Sequence, residues 1–296
     1  MASLKEVRNR ITSVNSTQQI TKAMKMVSAA KLRRAQDAII QMRPYAKKLS
    51  EMLATVSAGT ETAAESPYKQ VRPVEKVLIV TVTSDRGLCG AFNTNIVKAA
   101  MALIQEKYSA QAAKGNVEIF ALGKKGGEAC QRRGLKVNTS FMDVYTRLKF
   151  GVVKEAAESI MADFESGKYD AVEVIFNEFK NVATQIIRVD QLLPIPEAKD
   201  DLKKATTSNV NYIFEPSEAE IVTDLIPKTL KIQLYRAVLE SNASEHGARM
   251  TAMDKATDNA QELIKALRLE YNRSRQAAIT KEILEIVGGA EALSQG

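Results

Sequence analysis

Few residues in this chain could do covalent chemistry, and they are scattered. His246 is the single histidine, so any Ser/His/Asp or Cys/His arrangement must be built on it. Its neighbours Glu245 and Gly247 offer one carboxylate and no nucleophile, which reads as a surface or packing residue in a segment of helical pattern. Cys89 and Cys130 lie far from that histidine and from any third thiol, so the pattern suggests neither a metal site nor a disulfide framework. They read as reduced, inert thiols. A paired-carboxylate site needs two acids converging on one cleft, and the acid singled out is Asp85, beyond the carboxyl end of the first predicted strand. Two glycine-rich turns follow predicted strands, where a phosphate cradle would sit. The first, Ser84 to Asn93, gives G-x-x-G through Gly87 and Gly90. The second is Gly123-Lys124-Lys125-Gly126-Gly127. Neither completes G-x-G-x-x-G or the G-K-[ST] end of a P-loop. They read as structural turns, with partner docking and nucleotide binding as the alternatives.

The elements that would carry these residues are unequal in kind. In 296 residues, 45% hydrophobic, clean apolar runs such as Val77 to Val80 are short, so no segment approaches the roughly 20 residues of a membrane span. The start, Met1 to Glu6, lacks the apolar core of a signal peptide and predicts a protein made and retained in the cytosol. The net charge of +7 is uneven: residues 1–56 hold eleven Lys/Arg against Glu6, Asp37 and Glu51. A basic helix suits nucleic acid, an anionic membrane or acidic protein loops, and charge alone does not choose among them. Aromatic residues for base stacking are nearly absent there, Tyr45 being the exception, which weighs against nucleic acid.

Both ends predict very long helices. Ser3-Leu4-Lys5-Glu6 is a capping box, and Leu4, Val7, Ile11 and Val14 follow 3,4,3 spacing, resumed from Leu32 through Ala35, Ile39, Met42, Ala46, Leu49, Leu53 and Val56. Between them polar residues surround Ile20, Met24 and Val27, which predicts a register shift over Thr17 to Lys31. Pro44 predicts a kink. At the other end a second capping box, Ser217 to Glu220, opens a helix whose later seam reads Met253, Ala256, Ala260, Leu263, Leu267, then Ile279, Ile283 and Ile286, with Gly288-Gly289 as the stop. Asn242 to Gly247 interrupts the rhythm and allows a bend. At about 1.5 Å per residue the two helices would span about 80 and 105 Å, more than a compact domain of this size requires. Each has a narrow apolar stripe, so the economical arrangement is an antiparallel two-helix coiled coil.

Residues 76–190 alternate instead between strands and helices. Strands are predicted at Val77 to Val82, Val117 to Leu122, Leu135 to Thr139, Ala171 to Phe176 and Thr184 to Val189. Helices are predicted at Phe92 to Tyr108, Lys124 to Arg133 and Val152 to Phe164. The fold class expected is therefore α/β: a mostly parallel, Rossmann-like sheet domain beside the coiled coil. The division expected is 1–57 for the first helix, 58–75 a linker, 76–196 the α/β domain, 197–216 a linker and foot segment, and 217–296 the last helix.

Four separated motifs, in order, resemble the gamma subunit of F-type ATP synthases. They are Ile20 to Lys31; Ser84 to Asn93, with Asp-Arg-Gly-Leu-Cys-Gly; Ser244 to Met253 followed by Ala256-Thr257-Asp258-Asn259; and Tyr271 to Ala290, which fits I-T-x-E-x-x-E-x-x-x-G-A at every fixed position. The match spans almost the whole chain.

The resemblance implies a central rotor shaft of the proton-translocating enzyme, non-catalytic itself and without cofactor or metal. Its implied partners are the alpha and beta subunits of the catalytic hexamer, the epsilon subunit and the ring of c subunits. It would lie at the cytoplasmic face of a bacterial inner membrane, held there only through partners. By resemblance, Met24, Lys25 and Arg249 face an acidic segment of the beta subunit, Arg275, Gln276, Thr280 and Glu282 engage loops of the catalytic subunits, and Tyr212 and Glu215 form a foot on the ring. The linker before the last helix lacks the cysteine pair of chloroplast members, which argues against thiol control of that kind. Two other classes stay open at this point: an α/β nucleotide-binding enzyme with helical arms, motivated by the glycines, and a basic coiled-coil nucleic-acid binder.

Overall fold

A computed structural model describes residues 4–59, 66–146, 148–196 and 218–294. The chain forms two compact units, Met1–Ser28 with Met250–Gly296, and Ala29–Arg249. Helix α1 is Leu4–Gly59 and helix α6 is Glu218–Ser294. Between them come β1 (Val77–Val82), α2 (Phe92–Lys107), α3 (Ser109–Ala113), β2 (Val117–Leu122), α4 (Lys124–Gln131), β3 (Lys136–Asn138), α5 (Phe150–Glu165), β4 (Ala171–Phe179) and β5 (Gln185–Leu193).

In the unit of residues 29–249 the sheet order is β3-β2-β1-β4-β5, parallel except for the antiparallel β4–β5 pair. Strand β1 is central and buried at all six residues, which is why it reads as an unbroken Val/Leu/Ile run rather than as an alternation. One face packs Val77, Ile79 and Ile119 against Ile96, Ala100 and Ile104 of α2. The other packs Leu78, Val80 and Phe120 against α5, and the same core takes in Leu49 and Leu53 of α1 and Leu234 and Val238 of α6. At about 1.5–3 kcal/mol for each fully buried aliphatic side chain, these contacts are what hold the two long helices to the sheet. Strand β4 runs past its predicted end because Asn177 to Phe179 pair with Ile187 to Gln185, and β5 because Asp190, Gln191 and Leu193 pair with Val174, Glu173 and Val172.

In the other unit α1 and α6 are antiparallel: Thr21 meets Thr257 and Lys25 pairs with Asp254. The predicted register shift does not occur. From residue 4 to residue 32 the positions withdrawn from solvent are Leu4, Val7, Ile11, Val14, Gln18, Thr21, Met24, Lys25, Ser28 and Leu32. The 3,4 alternation runs on through polar residues, while Ile20 and Val27, more than half exposed, point away from the seam. On α6 the seam is Thr257, Ala260, Ile264, Leu267, Tyr271 and Ser274, so Ile264 takes the place expected for Leu263, while Thr257 is withdrawn from solvent beside the expected Ala256.

One further expectation changes: Gly288 and Gly289 do not stop α6, which continues to Ser294. Asn242 to Gly247 and Pro44 both lie inside continuous helix.

Candidate functional site

The two glycine-rich turns meet at the carboxyl ends of β1 and β2, and their donors are already used. At the start of α4, the Lys124 amide donates to Asp85 Oδ1 at 3.3 Å, the Lys125 amide to the Ser84 carbonyl at 3.0 Å and the Gly126 amide to Thr83 Oγ1 at 3.0 Å. Those three amides are what a helix start would offer a phosphate, and here the chain's own acceptors fill them. Gly123 has φ +109°, and a Cβ there would lie 2.0 Å from the Thr83 carbonyl oxygen, so this glycine serves a close backbone crossing. Burial pushes the Asp85 carboxyl up, opposed by its bond to the Lys124 amide and by the Lys124 charge.

In a sheet of this topology a ligand binds where the strand order reverses, here between β1 and β4. Helix α6 sits there. Ser241 Oγ donates to the Val82 carbonyl at 3.3 Å and Ser244 Oγ to the Asn177 carbonyl at 3.1 Å, while Glu240 Oε2 accepts from the Phe179 amide at 3.0 Å. At Gly247 a Cβ would come 3.4 Å from the Phe179 ring, so the small residues that interrupt the apolar rhythm are those that let the helix close on the strand ends. The crevice is filled by the protein's own helix.

Arg249 closes the same region. It pairs with Glu245 and donates to the Arg86 and Gly87 carbonyls at 3.1 and 3.2 Å, leaving 9% of the residue exposed. The structure thus turns inward a residue expected on a subunit-facing surface, and what faces outward is the loop it holds. Ser84 Oγ donates to the Arg86 carbonyl at 2.7 Å and accepts from Asn93 Nδ2 at 2.8 Å, and Leu88 is carried exposed at φ +65°.

Cys89 and Cys130 are buried thiols whose pKa burial raises. His246 is lowered to about 4, chiefly by burial and further by Arg249 and Lys31, so its imidazole is neutral near pH 7. Its Nδ1 is buried without a hydrogen-bond partner. Among the described residues no cluster of His, Cys, Asp and Glu could hold a metal ion.

The other predicted residues lie in the unit of residues 1–28 and 250–296. Met24 and Lys25 are half-buried beside the seam, with Lys25 engaged by Asp254. If the register fixed by Thr21 and Thr257 is continued, Leu4 is level with Ser274. Among the described residues, 275–294 therefore run on without a partner helix for about 30 Å. Arg275, Gln276, Thr280 and Glu282 all lie on this stretch and are all exposed. The Thr280 hydroxyl donates to the Gln276 carbonyl at 2.9 Å. Tyr212 and Glu215 fall outside the described residues. Sequence reasoning missed Glu240 and Arg43, whose pairing joins helices nearly two hundred positions apart; the signal available was a lone acid inside a run of small and apolar residues.

A family profile described as ATP synthase matches residues 3–293. An ATP synthase gamma chain of Cytophaga hutchinsonii is 62% identical over 294 residues, 99% of this chain and 100% of that one. The chain belongs to the ATP synthase gamma chain family. The gamma chain of Flavobacterium psychrophilum is 55% identical over 99% of both chains. In fold, a chain of the rotor of Euglena gracilis mitochondrial ATP synthase covers 93% of this chain with a TM-score of 0.63 at 22% identity, and 98% of that chain is matched. Gamma chains thus combine the α/β sheet and the paired terminal helices described above, and this one is a component of an enzyme complex.

Proposed function

We propose that the chain is the rotor shaft of its ATP synthase, without an active site of its own. It couples rotation of a ring of c subunits in the membrane to ATP synthesis or hydrolysis at the beta subunits. The observation that carries this reading is the single helix of residues 275–294, standing beyond an antiparallel pair and presenting Arg275, Gln276, Thr280 and Glu282 to its surroundings. A projecting helix with polar and apolar residues on all sides suits a surrounding sleeve. The phosphate position and the ligand crevice filled from within weigh against the nucleotide-binding alternative.

In this reading alpha and beta subunits surround the shaft, with Met24, Lys25 and Arg249, together with the loop it holds, near an acidic beta segment. Epsilon and the c ring are the remaining partners, and Tyr212 and Glu215 form the foot. Residues 1–57 and 217–296 serve as shaft and 76–196 as the α/β domain. No described helix is long and apolar enough to cross a membrane, and the complex would be held at the cytoplasmic face through partners. The excess charge of α1 attracts acidic loops as they pass, each exposed pair being worth at most about 1 kcal/mol, so contacts form and break with little resistance.

The test is activity in isolation and in company. The purified chain should show no ATP hydrolysis and should co-purify with alpha and beta subunits as an active complex. Ordinary turnover by the chain alone would overturn the reading.

A further inference from the structure

We propose that Arg43 and Glu240 are the mount through which turning force passes between the sheet and the two long helices; the proposal rests on the rotor reading. Glu240, on α6, is wholly buried. Its Oε1 accepts from Arg43 Nε of α1 at 2.7 Å, and its Oε2 accepts from Arg43 Nη2 at 2.8 Å and from the Phe179 amide, at the end of β4, at 3.0 Å. Arg43 Nη2 also donates to the Phe179 carbonyl at 2.8 Å. One side-chain pair therefore ties α1, α6 and the sheet at a single point.

The rest of the attachment is of another kind. Leu49, Leu53, Leu234 and Val238 pack on the sheet through apolar contacts, which oppose separation but have no preferred direction. Ser241 and Ser244 bond to strand carbonyls, Arg249 to the Arg86 and Gly87 carbonyls and Lys231 to Glu158 of α5, but all of these reach from α6 alone and leave α1 untied. The Arg43–Glu240 pair is bidentate, charged and directional, and the buried carboxylate has no water to turn to if the helices twist against the sheet. Loads that rotate the helices relative to the strand ends thus fall on it first. Both are positioning residues, far in sequence from the exposed helix that meets the catalytic subunits.

The experiment uses the assembled complex in inverted membrane vesicles, measuring ATP hydrolysis and ATP-driven ion uptake together. Two variants are compared with wild type: Glu240→Gln, and Arg43→Met combined with Glu240→Leu, which replaces the pair by apolar groups and spares the fold an unpaired buried charge. The expected result is hydrolysis near wild type in the detached catalytic sector and a severalfold fall in ions moved per ATP in both variants. An unchanged ratio in either variant overturns the mount. Failure of both to assemble also overturns it, since the pair would then be a folding determinant. Wild-type vesicles that hydrolyse ATP without moving ions would remove the rotor reading itself, and the mount with it.

Discussion

The hydroxyls of Thr21 and Thr257 lie 2.8 Å apart across the helix seam, and each also has a carbonyl of its own helix within reach, Gln18 at 3.0 Å and Met253 at 2.7 Å. Two protons serve three acceptor positions, so the contact specifies register more than it adds stability. Replacing both residues by Val keeps the shape and removes the polar pair. The expected outcome is an unchanged or slightly raised stability, by about 0.5–1 kcal/mol, read from thermal unfolding. A large loss would show that the hydroxyl pair holds the helices together.

Gly123→Ala should be among the most damaging single changes in the sheet domain. The new Cβ would meet backbone, not a movable side chain, at a φ that L-residues avoid. The expected loss is at least about 3 kcal/mol, measured by urea unfolding. Gly87, with open space around its Cβ position, is the control: Gly87→Ala should lose far less.

His246 predicts a pH dependence of definite sign. Its folded pKa is lowered to about 4 from an ordinary 6.5, so between these values the unfolded chain binds more protons. Stability from this residue is present above pH 6.5 and is lost as pH falls toward 4. Glu245 acts in the opposite sense, because burial raises its pKa and its contribution weakens as pH rises. The comparison is therefore between wild type and His246→Gln, each unfolded at pH 7 and pH 5. The wild type should lose about 1–2 kcal/mol more than the variant on acidification, the lower figure allowing for partial solvent access. Equal losses would mean the imidazole titrates normally.

Arg275→Ala with Gln276→Ala touches two exposed residues on an unpartnered stretch of helix. Stability of the isolated chain should move by no more than about 0.5 kcal/mol. In the assembled complex the same double variant should lower the ATPase rate while assembly survives. Normal activity would show that these side chains are not contacts.

The sheet was legible because its signals are local. Val77 to Val82 and Val117 to Leu122 appear at their predicted bounds, since a buried parallel strand is a simple apolar run. The seam was harder to read, although it is written in the sequence at constant spacing from Val7 to Leu53. Counting apolar residues selects Ile20, Val27 and Leu263, which face outward, and passes over Gln18, Thr21, Lys25 and Ser28, which do not. Polarity and position part company there because half-buried threonines and serines can satisfy themselves on their own helix, as Ser28 does on the Met24 carbonyl. Gly288 and Gly289 mislead in a similar way, permitting a stop without compelling one. The closing of the crevice was beyond sequence reasoning, because it depends on Ser241 and Ser244 meeting strand ends that are distant in the chain.

The last stretch of α6 has a thermodynamic consequence of its own. Ile279, Ile283, Leu284, Ile286 and Val287 are open to water, and among the described residues no neighbouring helix shares the cost of ordering them. A lone segment of about twenty residues sits near the margin at which a helix holds by propensity alone. Its amide protons should therefore exchange with solvent far sooner than those of Leu234 or Val238, and its order is borrowed from whatever encloses it.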